Sequence, residues 1–246
     1  MRSIAMVLGG LALSAVACGK GATIRAATPA SSGLASRESA PAEAAAEPLE
    51  TPAAPSATPA NRRLFLDVHE VGPGKITLEV AANAHQRDLA TQAQYGVEFK
   101  TYWVDLARGK IYCLAEAPSM DAVNAVHREA HGLLADKIVE VTAAEQSWTT
   151  TPGTKLFIDH HAFGQGKVNA AAVAAAHAKD LATQSKHDVR YLNYWFDAAN
   201  GTVTCLAEGP SADAVLAVHQ ESHGLMPDSI EEVVEGSAPP EHGRRH

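Results

Sequence analysis

Two histidines spaced four residues apart occur twice in this chain, as His127 with His131 and as His219 with His223. At this spacing both imidazoles project from one side of a helix, which is a common way to present two ring nitrogens to one divalent metal ion. Glu129 follows His127 by two residues, about 200° around the helix. Because the zinc-protease motif needs a glutamate directly after the first histidine, the spacing predicts a metal site without protease chemistry. The alternative is a pair of edge histidines that cap the sheet or hydrogen-bond the backbone.

A second polar group lies on segments with strand-like alternation. Asp67 and His69 alternate with apolar residues, and Glu116 lies on a later segment with the same alternation, so one sheet face can hold all three. If Leu64 and its apolar neighbours face the helices, this group lies on the helix-free face. There it could bind a metal or a small polar ligand, act in acid–base chemistry, or form a hydrogen-bond network between the two halves. The second copy of the group is Asp159, His161 and Glu208.

A third polar pair, His85 with Asp88, has a three-residue spacing on a predicted helix. This spacing brings the two side chains close on one helix face, where the carboxylate could orient the imidazole behind a metal ligand. The same pair recurs as His177 with Asp180. A simple helix-surface pair is the alternative.

These residue types limit the choice of metal. Imidazole and carboxylate ligands suit nickel, zinc or copper, and copper is favoured by raw affinity. Cys113 and Cys205 could add a thiolate, but the cysteine has the opposite strand parity to Glu116, so the two are not expected in one site. One cysteine per repeat at equivalent positions is not a disulfide framework.

All of these groups are duplicated because the chain contains an internal repeat. Residues 64–141 align with residues 156–233 at a constant offset of 92 without a gap, and 41 of the 78 paired positions are identical. The histidines and acids are kept while about half of the residues change. This indicates that the repeat preserves chemistry as well as packing.

Each repeat predicts the element order β-α-β-β-α-β. In the first repeat the strands are predicted at 64–69, 97–106, 110–117 and 136–141, and the helices at 79–94 and from about 119 to 131. This is the ferredoxin-like unit, a four-stranded antiparallel sheet with both helices on one face. Two such repeats can cover each other's bare sheet faces. The fold class is therefore α+β: two ferredoxin-like sheets packed as an intramolecular pseudo-dimer, similar to a dimeric α+β barrel.

The regions outside the repeats predict export. A short apolar stretch with Arg2 before it ends in Ala15-Val16-Ala17-Cys18, which is typical of a signal peptide. Both ordinary cleavage and lipid attachment at Cys18 fit this ending, and lipid attachment is favoured although Ala15 occupies a position where leucine is more common. The mature protein is therefore expected to be periplasmic or a membrane-anchored lipoprotein. The predicted organisation is a signal peptide (1–18), an Ala/Pro/Ser-rich disordered tether (19–60), the first repeat (61–142), a connector (143–153), the second repeat (154–236) and a polar tail (237–246).

The net charge of −8 and the absence of a basic stripe or patch argue against a nucleic-acid partner. A nucleophile elbow, a phosphate-binding loop and a Cys-x-x-Cys motif are also absent from the sequence, so no common enzyme class is favoured.

Both repeats resemble a bacterial family of domains of unknown function whose characterised member is a small nickel-binding ferredoxin-like protein. The segments that carry the resemblance are Tyr102-Trp103-Val104-Asp105, Cys113-Leu114-Ala115-Glu116-Ala117-Pro118 and Ala125-Val126-His127-Arg128-Glu129-Ala130-His131-Gly132, together with their counterparts 92 residues later. The resemblance covers essentially all of both repeats. It implies a β-α-β-β-α-β fold that pairs as a dimer, and divalent-metal binding with nickel as the named metal. The duplication, the signal peptide and the tether depart from the usual single-domain form of the family.

Together these observations predict an exported protein that binds and sequesters nickel or a similar divalent ion. With both halves in one chain, such a protein could be a monomer. The alternative is a small-molecule binding protein or an enzyme that uses the space between the two sheets. A third interpretation is a purely structural interaction module.

Overall fold

The computed structural model describes residues 62–145 and 148–236. The predicted signal peptide, tether and polar tail therefore lie outside the described residues. Within the described part, no helix is both long and apolar enough to cross a membrane.

Each repeat folds as β-α-β-β-α-β, which confirms the predicted fold class. The first repeat consists of β1 (Arg63–Glu70), α1 (Leu78–Thr91), β2 (Glu98–Asp105), β3 (Lys110–Ala117), α2 (Met120–Ala130), β4 (Lys137–Glu140) and the short β5 (Thr142–Ala143). The second consists of β6 (Lys155–Ala162), α3 (Ala170–Thr183), β7 (Arg190–Asp197), β8 (Thr202–Gly209), α4 (Ala212–Ser222) and β9 (Ser229–Glu235).

The nine strands form one antiparallel sheet in the order β4-β1-β3-β2-β9-β6-β8-β7-β5. The last strand of each repeat crosses to the other repeat. The end of β9 pairs with β2, and β5, which continues β4 past Val141, pairs with β7. Because β4 and β5 are successive parts of one strand, the two ends of the sheet meet and close a barrel. The two predicted sheets are therefore also joined edge to edge, by the pairing of β2 with β9 and of β5 with β7.

Three apolar clusters build the core. One lies under the helices of each repeat, and the third lies between the sheets. The cluster between the sheets contains Trp103 and Trp195, whose ring centroids are 5.3 Å apart, and Trp148 packs against Trp103 at 5.7 Å. Burial of these large aromatic side chains is a strong apolar contribution that neither repeat could make alone.

The two faces of β1 are the reverse of the assumed assignment. Leu66 belongs to the cluster between the sheets, whereas Phe65 packs under the helices and Asp67 hydrogen-bonds a helix residue. Strand alternation determines which residues share a face but not which face is inward. The bulky leucines cover the other sheet together with the tryptophans, and the helices cover the polar face.

Local signals position the helices as the sequence predicts. Ser119 caps α2 by accepting a hydrogen bond from the backbone N–H of Ala122. The helix ends at Gly132, whose positive φ of 79° leaves the α region and whose N–H bonds the carbonyl of His127. This short helix holds His127 over the centre of the sheet.

Candidate metal centre

The helix α2 places a fully buried histidine above a fully buried strand aspartate. His127 and Asp67 are both 0% exposed, and His127 Nε2 lies 3.4 Å from Asp67 Oδ2. The other ring nitrogen, Nδ1, lies 3.1 Å from Oδ1 of Asp88 on α1. The imidazole therefore lies between two carboxylates from two different elements.

The second repeat builds the same arrangement with slightly different contacts. His219 Nε2 lies 3.2 Å from Asp159 Oδ2, and its Nδ1 lies 3.5 Å from Asp180 Oδ1. Ser222, which replaces an alanine of the first repeat, donates to the same Oδ1 of Asp180 at 2.6 Å. The Ser222 hydroxyl is a hydrogen-bond donor that the first repeat lacks, and the contact between His219 and Asp180 is longer than the 3.1 Å contact between His127 and Asp88.

The two carboxylates keep the central histidine charged. Burial by itself lowers the pKa of His127, but its hydrogen bonds with Asp67 and Asp88 outweigh burial and raise the pKa to about 9. His219 behaves in the same way, with a pKa of about 9. Burial by itself would raise the pKa of Asp67, but its interactions with His127 and His69 together outweigh this effect and lower the pKa. At neutral pH the centre of each repeat is therefore an imidazolium held between two carboxylates.

The second histidine of each helix pair has its hydrogen bonds satisfied. His131 Nδ1 accepts from the backbone N–H of Leu133 at 3.2 Å, so a neutral ring carries its proton on Nε2 and donates it to Asp88, 3.2 Å away. His223 repeats this pattern with Leu225 and Asp180. Nε2 of each of these rings is held by the aspartate, and the ligand atoms of Asp88, His127 and His131 lie within 4.8 Å of one another, as do those of Asp180, His219 and His223. The structure therefore brings each predicted pair of helix histidines together beside an aspartate.

In His69 the roles of the two ring nitrogens are the opposite of those in His131, because Nδ1 is the donor. This Nδ1 lies 3.2 Å from the carbonyl of Leu134, which accepts the proton and leaves a lone pair on Nε2. This Nε2 lies 3.3 Å from Asp67 Oδ1, an oxygen that is buried without a hydrogen-bond partner. In the second repeat His161 Nε2 lies 3.2 Å from Asp159 Oδ1, which is also unpartnered. A buried carboxylate oxygen beside an imidazole nitrogen, without hydrogen-bond geometry, is an arrangement that a cation would satisfy.

Sequence reasoning did not place the cysteine in this centre. Cys113 lies opposite Asp67 in the pairing of β1 with β3, and possible ligand atoms of Cys113, Asp67 and His69 all lie within 4.8 Å of one another. Burial raises the pKa of the Cys113 thiol well above its usual value, so the free thiol is neutral. The shared parity of this cysteine and the strand aspartate was the signal that could have identified it.

The predicted grouping of Asp67 and His69 with Glu116 is wrong. Glu116 lies opposite Leu64, on the other face of the sheet, and forms an ion pair with Lys100 at 3.1 Å. In the second repeat Glu208 is likewise separated from Asp159 and His161, and it bonds Arg190 and Thr151 instead. The cause is that only the faces of β1 are reversed: Asp67 and His69 point toward the helices, whereas Glu116 of β3 lies on the helix-free face together with Tyr112 and Leu114.

The predicted pairing of His85 with Asp88 is also changed, because Asp88 bonds the two histidines of α2. The His85 ring packs on Tyr102 with centroids 4.5 Å apart, and its Nδ1 has no partner. His177 repeats this position against Tyr194 at 4.7 Å. Both rings line the space beside the centre rather than form part of its hydrogen-bond network.

The two centres differ at one aromatic position. Phe99 of the first repeat corresponds to Tyr191 of the second, and the Tyr191 hydroxyl lies 3.0 Å from His219 Nε2. The hydroxyl thus contacts the ring nitrogen that faces the strand aspartate. The first centre has no equivalent contact.

Comparison with known proteins identifies a family in both repeats. The family described as nickel responsive protein SCO4226-like matches residues 65–141 and 157–233. No curated protein matches the chain.

Two solved structures illustrate the range of similarity. The crystal structure of SCO4226 from Streptomyces coelicolor A3(2) is 47% identical over 31% of this chain and 93% of its own length, with a TM-score of 0.30. The structure of an anthrone oxidase-like protein is 9% identical over 76% of this chain and 97% of its own, with a TM-score of 0.43.

Proposed function

This chain belongs to the family of nickel-responsive SCO4226-like proteins, and we propose that it binds one divalent transition-metal ion, nickel foremost, in each repeat. The observation that carries the proposal is the unpartnered carboxylate oxygen beside an imidazole nitrogen, which occurs at both centres. In the first repeat the ion would be held by Asp67, His69 and His127, with the Cys113 thiol close enough to contribute. In the second repeat it would be held by Asp159, His161 and His219, whose ligand atoms lie within 4.8 Å of one another.

The aspartates of the first helices support these ligands from behind. Asp88 accepts from Nδ1 of His127, an arrangement that orients a metal-ligating imidazole and raises its basicity. His131 in turn holds Asp88. This assignment separates the two histidines of the helix pair, with His127 as the ligand and His131 as a positioning residue.

The donor set fits a borderline divalent ion. Imidazole nitrogens with one carboxylate suit nickel, zinc and copper, and a nearby thiol favours these ions over magnesium or calcium. The ion would replace the proton that His127 now holds between two carboxylates, and its two positive charges would match the two negative charges of Asp67 and Asp88.

Burial of the ligands favours sequestration over catalysis. The three ligands of the first centre are 0–3% exposed. An ion held there would be shielded from solvent and substrate, as expected for a protein that stores or buffers metal.

Calorimetric titration of the chelator-treated full chain with nickel, zinc and copper tests the proposal. We expect two ions per chain, bound with a Kd near or below about 1 µM. The double variant H69A/H161A should lose this binding. H131A/H223A should keep the stoichiometry with an affinity about 10- to 100-fold lower, because only the positioning of Asp88 and Asp180 is affected.

The matched control is H187A, which removes a histidine that pairs with Glu221 away from both centres. This variant should titrate like the unmodified protein. Millimolar binding that is equal in H69A/H161A and in H187A would overturn the proposal, since scattered surface histidines would then account for it.

We further propose that the protein is exported and held at a membrane by a lipid on Cys18. The support is the apolar stretch that ends in Ala-Val-Ala-Cys at the start of the sequence. Fractionation of cells that produce the chain, with and without C18S, tests this. A membrane fraction that becomes soluble outside the cytoplasm in C18S supports it, and retention in the cytoplasm opposes it.

A further inference from the structure

A cavity of about 240 Å³ lies between α3 and the sheet of the second repeat, beside the metal centre. Its walls include Val168, Ala172 and Val203, and its mouth is bordered by the partly exposed side chains of Phe163 and Leu225. The corresponding space in the first repeat measures only about 20 Å³. The cavity is therefore specific to one copy of a duplicated fold.

Substitutions between the repeats change the walls of this space. Three wall positions carry smaller side chains in the second repeat, where Val168, Ala172 and Val203 correspond to Ile76, Val80 and Ile111, and one carries a larger side chain, because Val173 corresponds to Ala81. At the mouth the change has the opposite sense, because Val71 corresponds to Phe163. The phenyl ring stacks on His161 with centroids 5.5 Å apart and planes 8° apart. The second repeat thus has space behind an aromatic rim.

The imidazoles of His161 and His177 line this space, and the Nδ1 atom of each is buried without a hydrogen bond. The nitrogen of His177 has an equally unpartnered counterpart in His85 of the first repeat, whereas that of His161 does not. His161 is 4% exposed. In the first repeat the equivalent nitrogen of His69 bonds the carbonyl of Leu134 at 3.2 Å. Since buried polar groups are nearly always hydrogen-bonded, this orphan nitrogen points to a partner that the protein itself does not provide.

We propose that the cavity of the second repeat binds one small, uncharged, hydroxylated aromatic molecule of the phenol class. A cavity of about 150 Å³ with apolar walls can hold benzene, so the present one can accommodate a substituted ring. His161 Nδ1 presents either a lone pair or an N–H, according to the proton on Nε2, and a hydroxyl can serve both as donor and as acceptor. The lining carries charges of both signs, on Asp180 and on Lys167 and His219, and its other walls are largely apolar, so burying an uncharged ligand costs less than burying an ion. The site goes beyond the proposed metal binding and does not require an ion.

Fluorine NMR of the full chain in the presence of a chelator tests the proposal with 4-fluorophenol as the probe. We expect saturable one-to-one binding with a Kd below about 1 mM. Fluorobenzene should bind several-fold more weakly because it lacks the hydroxyl, and 4-fluorobenzoate should not bind measurably. The variant V168I/A172V/V203I, which restores the residues of the first repeat, should weaken 4-fluorophenol binding at least tenfold.

The filled variant uses side chains that the first repeat already accommodates, and its near-ultraviolet circular dichroism reports whether the tryptophan core is intact. Should it fail to fold, intermolecular NOEs from the bound ring to the methyl groups of Val168 and Leu225 locate the probe in the unmodified protein. Absence of saturable binding, equal affinity in the folded filled variant, or NOEs to other residues would each overturn the proposal. Because chelator is present throughout, none of these results depends on whether the protein binds metal.

Discussion

The most informative residue of each repeat is the histidine held between two carboxylates. In His127 both ring nitrogens face an aspartate oxygen, so the group is a buried cation that lies between two carboxylates. Removing one partner of such a buried group costs more than the pair contributes when complete. This arrangement makes the protonation of one imidazole a determinant of both folding stability and metal occupancy.

The first prediction concerns the pH dependence of stability in the metal-free protein. The pKa values of His127 and His219 are raised to about 9 in the folded state, above the value of about 6.5 expected in the unfolded chain. Their contribution is fully present below pH 6.5 and is lost as the pH rises toward 9. We expect the free energy of unfolding in chelator to fall between pH 6.5 and 8.5 by on the order of 2 kcal/mol per histidine.

Urea denaturation at half-unit pH steps measures this effect. The window ends at pH 8.5 because the buried thiols of Cys113 and Cys205, whose pKa values are raised by burial, add a decrease of the same sign above it. A flat or rising free energy of unfolding over this window would contradict the charge assignment.

The second prediction concerns Tyr191, the aromatic residue that distinguishes the two centres. An ion that takes up the Nε2 of His219 must displace the hydrogen bond with the Tyr191 hydroxyl, which costs about 1 kcal/mol. We therefore expect two distinguishable nickel-binding steps, with the weaker one in the second repeat. Y191F should strengthen the weaker step by roughly three- to tenfold.

The matched variant is F99Y, which introduces a hydroxyl at the equivalent position of the first repeat. It should weaken the stronger step, so that the two steps converge. Calorimetric titration resolves both constants. A weaker second step that becomes weaker still in Y191F would show that the hydroxyl is a ligand rather than a competitor.

The sequence predicted the chemistry of the centre better than its geometry. The repeat identified His127, Asp67, His69 and Asp88 as members of a polar set, and the structure brings all four together. It could not show which sheet face was inward, because alternation is the same on both faces. The inclusion of Glu116 and the omission of the cysteine both follow from that ambiguity.

At the scale of elements, the loop that follows the first strand of each repeat is hydrogen-bonded to the turn of a neighbouring hairpin. Backbone N–H groups of Val71 and Gly72 both bond the carbonyl of Gly109 in the β2–β3 turn. The turn was predictable from an Arg-Gly or Asn-Gly dipeptide at a hairpin position. The contact between this turn and the loop at Gly72 was not predictable, because it joins segments that lie more than 30 residues apart in the sequence.

The third prediction tests this contact through Gly109. The residue has a φ of 68°, and a Cβ there would lie 1.9 Å from the backbone oxygen of Gly72. G109A should lower the free energy of unfolding by about 3 kcal/mol or more, because both the conformation and the space exclude a side chain. The control is G74A, which has a similar φ of 71° but open space, and should cost only about 1 kcal/mol. Equal losses in the two variants, measured by denaturant titration, would show that conformation alone matters.

At the scale of the whole molecule, duplication turns a pair of identical subunits into two halves that are free to diverge. Each half needs the other, because the tryptophan cluster between the sheets belongs to both and the last strand of each half pairs with the other half. The covered sheet faces were predictable from the bare face of a ferredoxin-like unit. The differences between the two halves at Tyr191 and at the cavity walls were not predictable, because they depend on contacts with residues that are distant in sequence.

The final prediction concerns a buried acid that only one half carries. Glu231 of β9 is 2% exposed, lies 2.9 Å from Lys110 Nζ and hydrogen-bonds the Tyr112 hydroxyl, both on β3 of the other repeat. Its counterpart in the first repeat is Val139. E231V should destabilise the protein by roughly 2–3 kcal/mol, because the Tyr112 hydroxyl is left buried without a partner.

Adding Y112F to E231V removes the orphaned hydroxyl, so the double variant should recover about 1 kcal/mol or more of that loss even though it carries one more substitution. Denaturant titration of the two single variants and the double variant completes the cycle. Strictly additive losses would show that the hydroxyl and the carboxylate act independently. Recovery in the double variant would mean that Glu231 is retained because it satisfies a polar group of the other half, and that the two repeats have become specific for each other.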